Sequence, residues 1–563
     1  MKPFSQIEYV RPDLEGMLAR LDELTAQAAN AASGEELLAV CDECDKLCQQ
    51  FMTDSSLSYV RYSINTKDEF YAKENDFYDE NSPRFNDKGL AFSRAVLANP
   101  HKQALADRYG QIYLDKLEQS VHCAIPEILP LMQKENALVS QYQKLYASAM
   151  VEFEGQTLPL PKLGPYKQST DRAVRKAAYE AEGKFFDDHQ AEFDELYTKL
   201  IENRNEQARA MGYENYVPLS YLRMQRLGYG REEVEAYRNQ VVRDVVPLVA
   251  CMKARQAERC GLTDPKFYDS ALYFADGNPN PTGTPEEILA AGRTMYRELS
   301  PETAEFIDFL MDNELLDVLS RLGKAPGGYC THFPTLKAPF IFSNFNGTSG
   351  DVDVLTHEAG HAFQAYRAMQ QDLPGELQGP GLESCEIHSM SMEFLTTPWH
   401  HLFFGPQTGK YALYHAEDAL GFLPYGCMVD EFQHIVYSHP ELTPEQRNEE
   451  WLKLEKKYRP WNNMEGMPFY GRGAGWQRQL HIYQYPFYYI DYCLAQTVAL
   501  QFFAAFLKDP KDAWQRYLAL VDKAGTQTYA DLVRSAGLVV PFTDGSLAPV
   551  AKAVSDWIDA NQL

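Results

Sequence analysis

Between Asp13 and about Gln207 the apolar residues recur at steps of three and four, and this spacing limits what the chain can fold into more than any other feature. Leu14, Met17, Leu18, Leu21 and Leu24 show it best. At ~3.6 residues per turn all five share one helix face, which must be buried against a neighbour. Similar patterns run through 103–151, 170–211 and 231–260. Stretches rich in Gly, Pro, Asn or Asp at 79–87 (DENSPRFND), 155–168 and 276–286 predict breaks between helices. Strand-like material is scarce. Residues 338–348 (APFIFSNFNGT) are aromatic and β-prone, and 326–333 (PGGYCTHF) are a second candidate. The expected fold class is mainly α, with one small β-sheet just before a helix. We divide the chain into an N-terminal helical region, 1–180, and a region carrying the chemistry, 181–563.

Hydrophobic residues make up 45% of the 563, enough for a large packed core. The 35 Tyr and 30 Phe are explained most simply by packing between helices, with aromatic cavity walls as the functional alternative. A net charge of -26 repels phosphate backbones, and no basic patch offsets it: Lys456 and Lys457 follow Glu455. Nucleic acid is therefore not an expected partner. Cys41, Cys44 and Cys48 resemble half of a zinc site, but no second half follows, and their spacing suits the buried face of a helix. The start, MKPFSQIEYVRPDLE, lacks a basic stretch followed by an apolar one, and no run approaches the ~18 apolar residues of a membrane span. A cytoplasmic chain with reduced thiols and no membrane association is expected.

The chemistry concentrates in 351–366, DVDVLTHEAGHAFQAY. His357 and His361 are four apart, so on a helix their rings project from one face, suited to two imidazole ligands on one zinc. Glu358 lies beside them, within reach of a water. Thr348 and Asp351 match a capping pattern, and Asp351 could itself cap. The bland alternative is two surface histidines with a neighbouring acid, so a third ligand decides. Gln364 and Arg367 stand where the HExxHxxGxxH class needs Gly and His, which excludes that class. The segment 381–395, GLESCEIHSMSMEFL, offers Glu383, Glu386 and Glu393. Glu386 and Glu393 share a helix face, so one could ligate while the other orients a ligand histidine.

HEAGH, then 24 residues, then Glu386 with Glu393 seven later resembles the thimet oligopeptidase and oligoendopeptidase F families of zinc peptidases. The run PGGYCTHFPTLKAPFIFSNFNGTSGDVDVLTHEAGHAFQ is similar to oligoendopeptidase F in particular, as are 481–496 (HIYQYPFYYIDYCLAQ) and 535–545 (SAGLVVPFTDG). The resemblance covers about 320–545, and the N-terminal part only in general character. It implies a helical metallopeptidase around a deep substrate channel, holding one zinc ion per chain through His357, His361 and Glu386, with Glu383 as the fallback ligand. Glu393 would orient a ligand histidine and Glu358 would act as general base. The implied activity is hydrolysis of internal bonds in short oligopeptides. A related helical zinc carboxypeptidase and a non-catalytic peptide-binding protein are the alternatives.

Stabilising the tetrahedral oxyanion calls for a donor besides the metal. His481, Tyr485, Tyr489 and Tyr492 are the candidates. Aligning the thimet-like pattern needs a one-residue gap after His481, which leaves Tyr488 open beside Tyr489; we take His481 and Tyr489 as catalytic, with Tyr485 and Tyr492 binding substrate. The 340–347 strand, including Phe345 and Gly347, is expected to offer an exposed edge on which an extended peptide can pair. In YGRGAGW, Gly471, Gly473 and Gly475 read either as a mobile loop near substrate or as an ordinary glycine turn. Cys330 and Cys385 read as small buried residues or as oxidation-sensitive thiols. Oligomeric state has no sequence signal here.

Overall fold

The structure, a computed structural model, describes residues 1–321 and 323–563. It is built mainly from helices: α1 (Leu14–Asn30), α2 (Gly34–Ile64) and α3 (Glu69–Ala98) come first. A hairpin, β1 (Met150–Phe153) and β2 (Gln156–Pro159), interrupts the helices, and a sheet follows from β3 (Leu316–Leu319), β4 (Tyr329–Phe333) and β5 (Ala338–Phe345). The helices that matter for the site are α4 (Gly350–Met369), α5 (Leu382–Leu395), α6 (Thr408–Ser438), α7 (Pro444–Tyr458), α8 (Tyr489–Phe506) and α9 (Pro510–Val521). No helix among the described residues is long and apolar enough to cross a membrane. The chain forms two compact units, each assembled from three separated stretches.

The first unit comprises Met1–His122, Asn280–Thr408 and Gln501–Val540. Here α1 begins at Asp13, whose carboxylate accepts the Gly16 N–H, and Leu14, Met17, Leu18, Leu21 and Leu24 are all buried. Cys41 and Cys44 are buried on α2, Cys48 is half-buried, and no disulfide occurs among the described residues. The helical packing expected for these three is what the structure has.

The break expected at 79–87 is absent, because α3 runs through it with Pro83 in its interior. Pro83 is on the solvent side, where water can satisfy the carbonyl that loses its N–H partner. The opposite side is held by Phe85, stacked on Phe51 at 3.9 Å, and by buried Tyr78. Packing overrides the local breaker.

The sheet order is β3-β5-β4, with β5 parallel to β3 and antiparallel to β4. This corrects the expected edge strand at 340–347: residues 338–345 form the central strand. The unforeseen neighbour is β3, LDVL, too short to show a strand pattern by itself. The sheet margin on the other side belongs to β4, and α4 packs against β5 and β4.

The second unit comprises Cys123–Pro279, Gly409–Leu500 and Pro541–Leu563. The break at 155–168 is present, and its first residue, Gly155 at φ 74°, forms the β1–β2 turn together with Glu154 at φ 50°. Tight turns with two positive φ values match strand twist, although the flanking strands were not anticipated. The core is aromatic: Tyr142 stacks on Tyr483 at 3.9 Å, and Tyr197 and Trp476 lie against Tyr483. Many tyrosines thus serve packing, as composition suggested. YGRGAGW is a packed turn: a Cβ on Gly473, at φ 83°, would meet the Asn448 carbonyl of α7 at 2.3 Å.

Because Pro83 costs α3 one backbone hydrogen bond, Pro83→Ala is expected to raise stability by about 1–3 kcal/mol in urea unfolding. A fall would show that the proline's local geometry is needed to seat Phe85 on Phe51.

Candidate active site

The helix α4 is placed by the turn that leaves β5. Gly347 takes φ 87°, and the buried Asp351 carboxylate reaches back to accept the N–H groups of Asn346 (2.8 Å) and Gly347 (2.7 Å). Burial raises Asp351 above the usual carboxylate range and these two N–H groups pull against that. The expected Thr348 cap does not form. Ser349 occupies the cap position without a side-chain bond, while the Thr348 hydroxyl is spent on Asn346 Oδ1 at 2.7 Å. Asp351 secures the turn instead.

On α4, His357 and His361 project one turn apart, with ring centroids 5.0 Å from each other. Facing them on α5, Glu386 Oε2 lies 3.2 Å from His357 Nε2 and 3.5 Å from His361 Nε2. The Ser389 hydroxyl donates to the same Oε2 at 2.9 Å. One ligand atom from each of the three lies within 4.8 Å of the others. Two atoms each ~2.1 Å from a tetrahedral zinc are ~3.4 Å apart, so the donor set and its spacing fit such an ion. Glu383 is outside the cluster; its carboxylate folds back over Gly381, within 2.9 Å of where a Cβ there would stand. Glu393, two turns beyond Glu386, contacts His357 Nδ1 at 2.7 Å.

The electrostatics follow from this crowding. Burial alone would favour neutral His357, but Glu386 and Glu393 overcome it and raise the ring well above its ordinary value. Burial pushes Glu386 up, yet the charge of His361 and the bonds from both imidazoles hold it well below the usual carboxylate range. Glu358 is raised, chiefly by burial. A carboxyl held higher than usual is better matched to proton exchange near neutrality. Cys330 is likewise pushed up by burial, which favours the protonated thiol.

Gly360 was not singled out by its sequence context, yet it sets the geometry. A Cβ there would stand 2.5 Å from the His388 carbonyl oxygen and 2.6 Å from Ser389 Cα, both backbone of α5. Only glycine lets α4 and α5 approach this closely, which brings Glu386 across to the two histidines. The Tyr517 hydroxyl of α9 holds the same His388 carbonyl at 2.8 Å. Small residues at a helix crossing were the available signal.

In the second unit, His481 sits in the short helix Leu480–Gln484. Its ring lies 6.0, 4.9 and 5.9 Å from those of Tyr488, Tyr489 and Tyr492, so both tyrosines left open by alignment are beside it. Tyr485 is 57% exposed. Between them Phe487 adopts φ 69°, held by Gln433 Oε1 accepting its N–H and by Arg226 donating to its carbonyl. Arg226 is fixed in turn by Asp491 at 2.8 Å. In the first unit, Phe345 is buried at the end of β5, and Gly347 belongs to the turn described above.

Two substitutions test the arrangement. Gly360→Ala forces two backbones apart and is expected to cost about 1–3 kcal/mol in unfolding experiments and to weaken any metal binding at the cluster. Glu393→Ala removes the partner of His357 Nδ1 and should lower metal affinity about 10- to 100-fold in competition with a chromogenic chelator.

Comparison with known proteins agrees with this picture. Residues 4–124 match the peptidase M3 N-terminal domain and 304–549 match peptidase family M3. The chain is 23% identical to oligopeptidase PepF of Bacillus subtilis (strain 168), over 95% of this chain and 81% of that protein. It is 43% identical to PZ peptidase A, solved with an inhibitor, with a TM-score of 0.93 and 99% of each chain covered. A crystal structure provisionally named oligoendopeptidase F is 44% identical, with a TM-score of 0.94, covering 100% of this chain and 99% of that one. Family match, near-complete structural likeness and the resemblance around HEAGH agree: the chain is a peptidase of family M3, belonging to its oligoendopeptidase F group.

Proposed function

We propose that the chain is a zinc-dependent endopeptidase that hydrolyses internal bonds of short oligopeptides. The observation that carries this is the convergence of His357 Nε2, His361 Nε2 and Glu386 Oε2 with Glu358 beside them. His357, His361 and Glu386 would hold one zinc, and Glu393 would fix the tautomer and angle of His357. Bound there, the metal would supply the Lewis acidity that acidifies a water and polarises a carbonyl. Glu358 takes the proton from the attacking water and passes it to the leaving amine, a role that its upward shift favours. His481 and Tyr489 donate to the carbonyl oxygen as it gains charge, while Tyr485 and Tyr492 contact substrate.

Pairing of the substrate backbone falls to β4, at the sheet margin, since β5 has strands on both sides. A short peptide substrate is in keeping with the name of the Bacillus subtilis relative, an oligopeptidase. Its compartment would be the reducing cytoplasm.

Glu358→Gln is expected to retain zinc and lose about 100- to 10,000-fold in kcat on an internally quenched peptide. Retained activity would remove Glu358 as the base. A chelator should abolish turnover and added zinc restore it. Mass spectrometry of a peptide-library digest should show internal cleavage that C-terminal amidation leaves unchanged; dependence on a free C-terminus would indicate a carboxypeptidase.

A further inference from the structure

Gln479 immediately precedes the helix that carries His481. Its amide Nε2 lies 2.9 Å from His481 Nδ1, and its Oε1 accepts the Tyr425 hydroxyl at 2.7 Å. Tyr425, on α6, is itself fixed, edge-on to Tyr489 at 5.8 Å and beneath the Arg459 guanidinium at 4.6 Å. The Tyr425 hydroxyl donates to the amide oxygen, and this leaves the NH2 end of Gln479 facing the imidazole. The NH2 group that faces Nδ1 can only donate, so Nδ1 must present its lone pair and the neutral ring carries its proton on Nε2.

We infer that Gln479, oriented by Tyr425, is a positioning residue that holds His481 in the Nε2–H tautomer and so makes it a donor rather than a base. This rests on the proposed role of His481 as a donor to the substrate carbonyl oxygen. Among the groups facing the ring are Tyr488, Tyr489 and Tyr492, together with the Gln479 amide. Arg478, Arg459, Glu455 and Glu182 act on Tyr425 behind it.

The test is steady-state kinetics of the zinc-loaded enzyme on an internally quenched peptide across roughly pH 6 to 9, which spans the ordinary range of histidine titration. His481→Ala is expected to lower kcat about 100-fold. Gln479→Met keeps the shape without the hydrogen bond and should lower kcat about 10-fold with KM unchanged. Gln479→Glu is isosteric at a half-exposed position, but its carboxylate only accepts. It draws the proton to Nδ1 and turns the Nε2 lone pair towards the substrate oxygen. Its kcat relative to wild type should therefore be lowest at high pH and climb as pH falls, when both ring nitrogens carry protons. The ratio cancels titrations common to both enzymes. In the His481→Ala background, Gln479→Glu should change nothing further. A pH-independent ratio, or an equal loss in that background, would overturn the inference and leave Gln479 a structural residue. Wild-type kcat in His481→Ala would instead remove the donor role of His481, and this inference with it.

Discussion

Where Gly360 meets His388 and Ser389, α4 and α5 run backbone against backbone, closer than any side chain would allow. His357 and His361 flank that contact on one helix, and Glu386 and Glu393 project from the other. Seven residues separate the two glutamates, about two turns, so a single close crossing brings Glu386 to both Nε2 atoms and Glu393 to the far nitrogen of His357. A wider crossing, such as an alanine would require, would carry all of these separations beyond hydrogen-bond or ligand range together. The donor cluster is a property of the helix pair rather than of the five-residue motif.

Around this crossing, buried polar groups do the positioning. Asp351 ties the turn after β5 to the first turn of α4, Ser389 aims the carboxylate of Glu386, and Tyr517 anchors the α5 backbone. The second unit repeats the device around His481. Gln433 and the Arg226–Asp491 pair hold Phe487 at a positive φ that a bulky residue rarely adopts, and Gln479 and Tyr425 hold the imidazole. The fully buried ones among these groups would be costly to leave unpaired, so each of those favours one local arrangement over its neighbours.

The helical character of α1, the burial of Cys41 and Cys44 and the sheet ahead of HEAGH were legible because each depends on residues close in sequence. Two of the failures have the opposite property. Pro83 reads as a breaker until Phe51, more than thirty residues earlier, stacks on Phe85. The 340–347 strand reads as an edge until LDVL at 316–319, featureless alone, pairs beside it. The Thr348 cap fails locally instead: Asn346, two residues before it, takes the hydroxyl.

What the sequence determined by itself was the helical class, the pairing of His357 and His361 on one face, and the short set of acids that could join them. Those follow from the periods of single elements. The tertiary structure decided that Glu386 rather than Glu383 stands between the imidazoles, that Gly360 is the reason it can, and that β4 rather than β5 borders the sheet. Such choices depend on how closely two elements approach and in what register, and that distance is fixed only when both are packed.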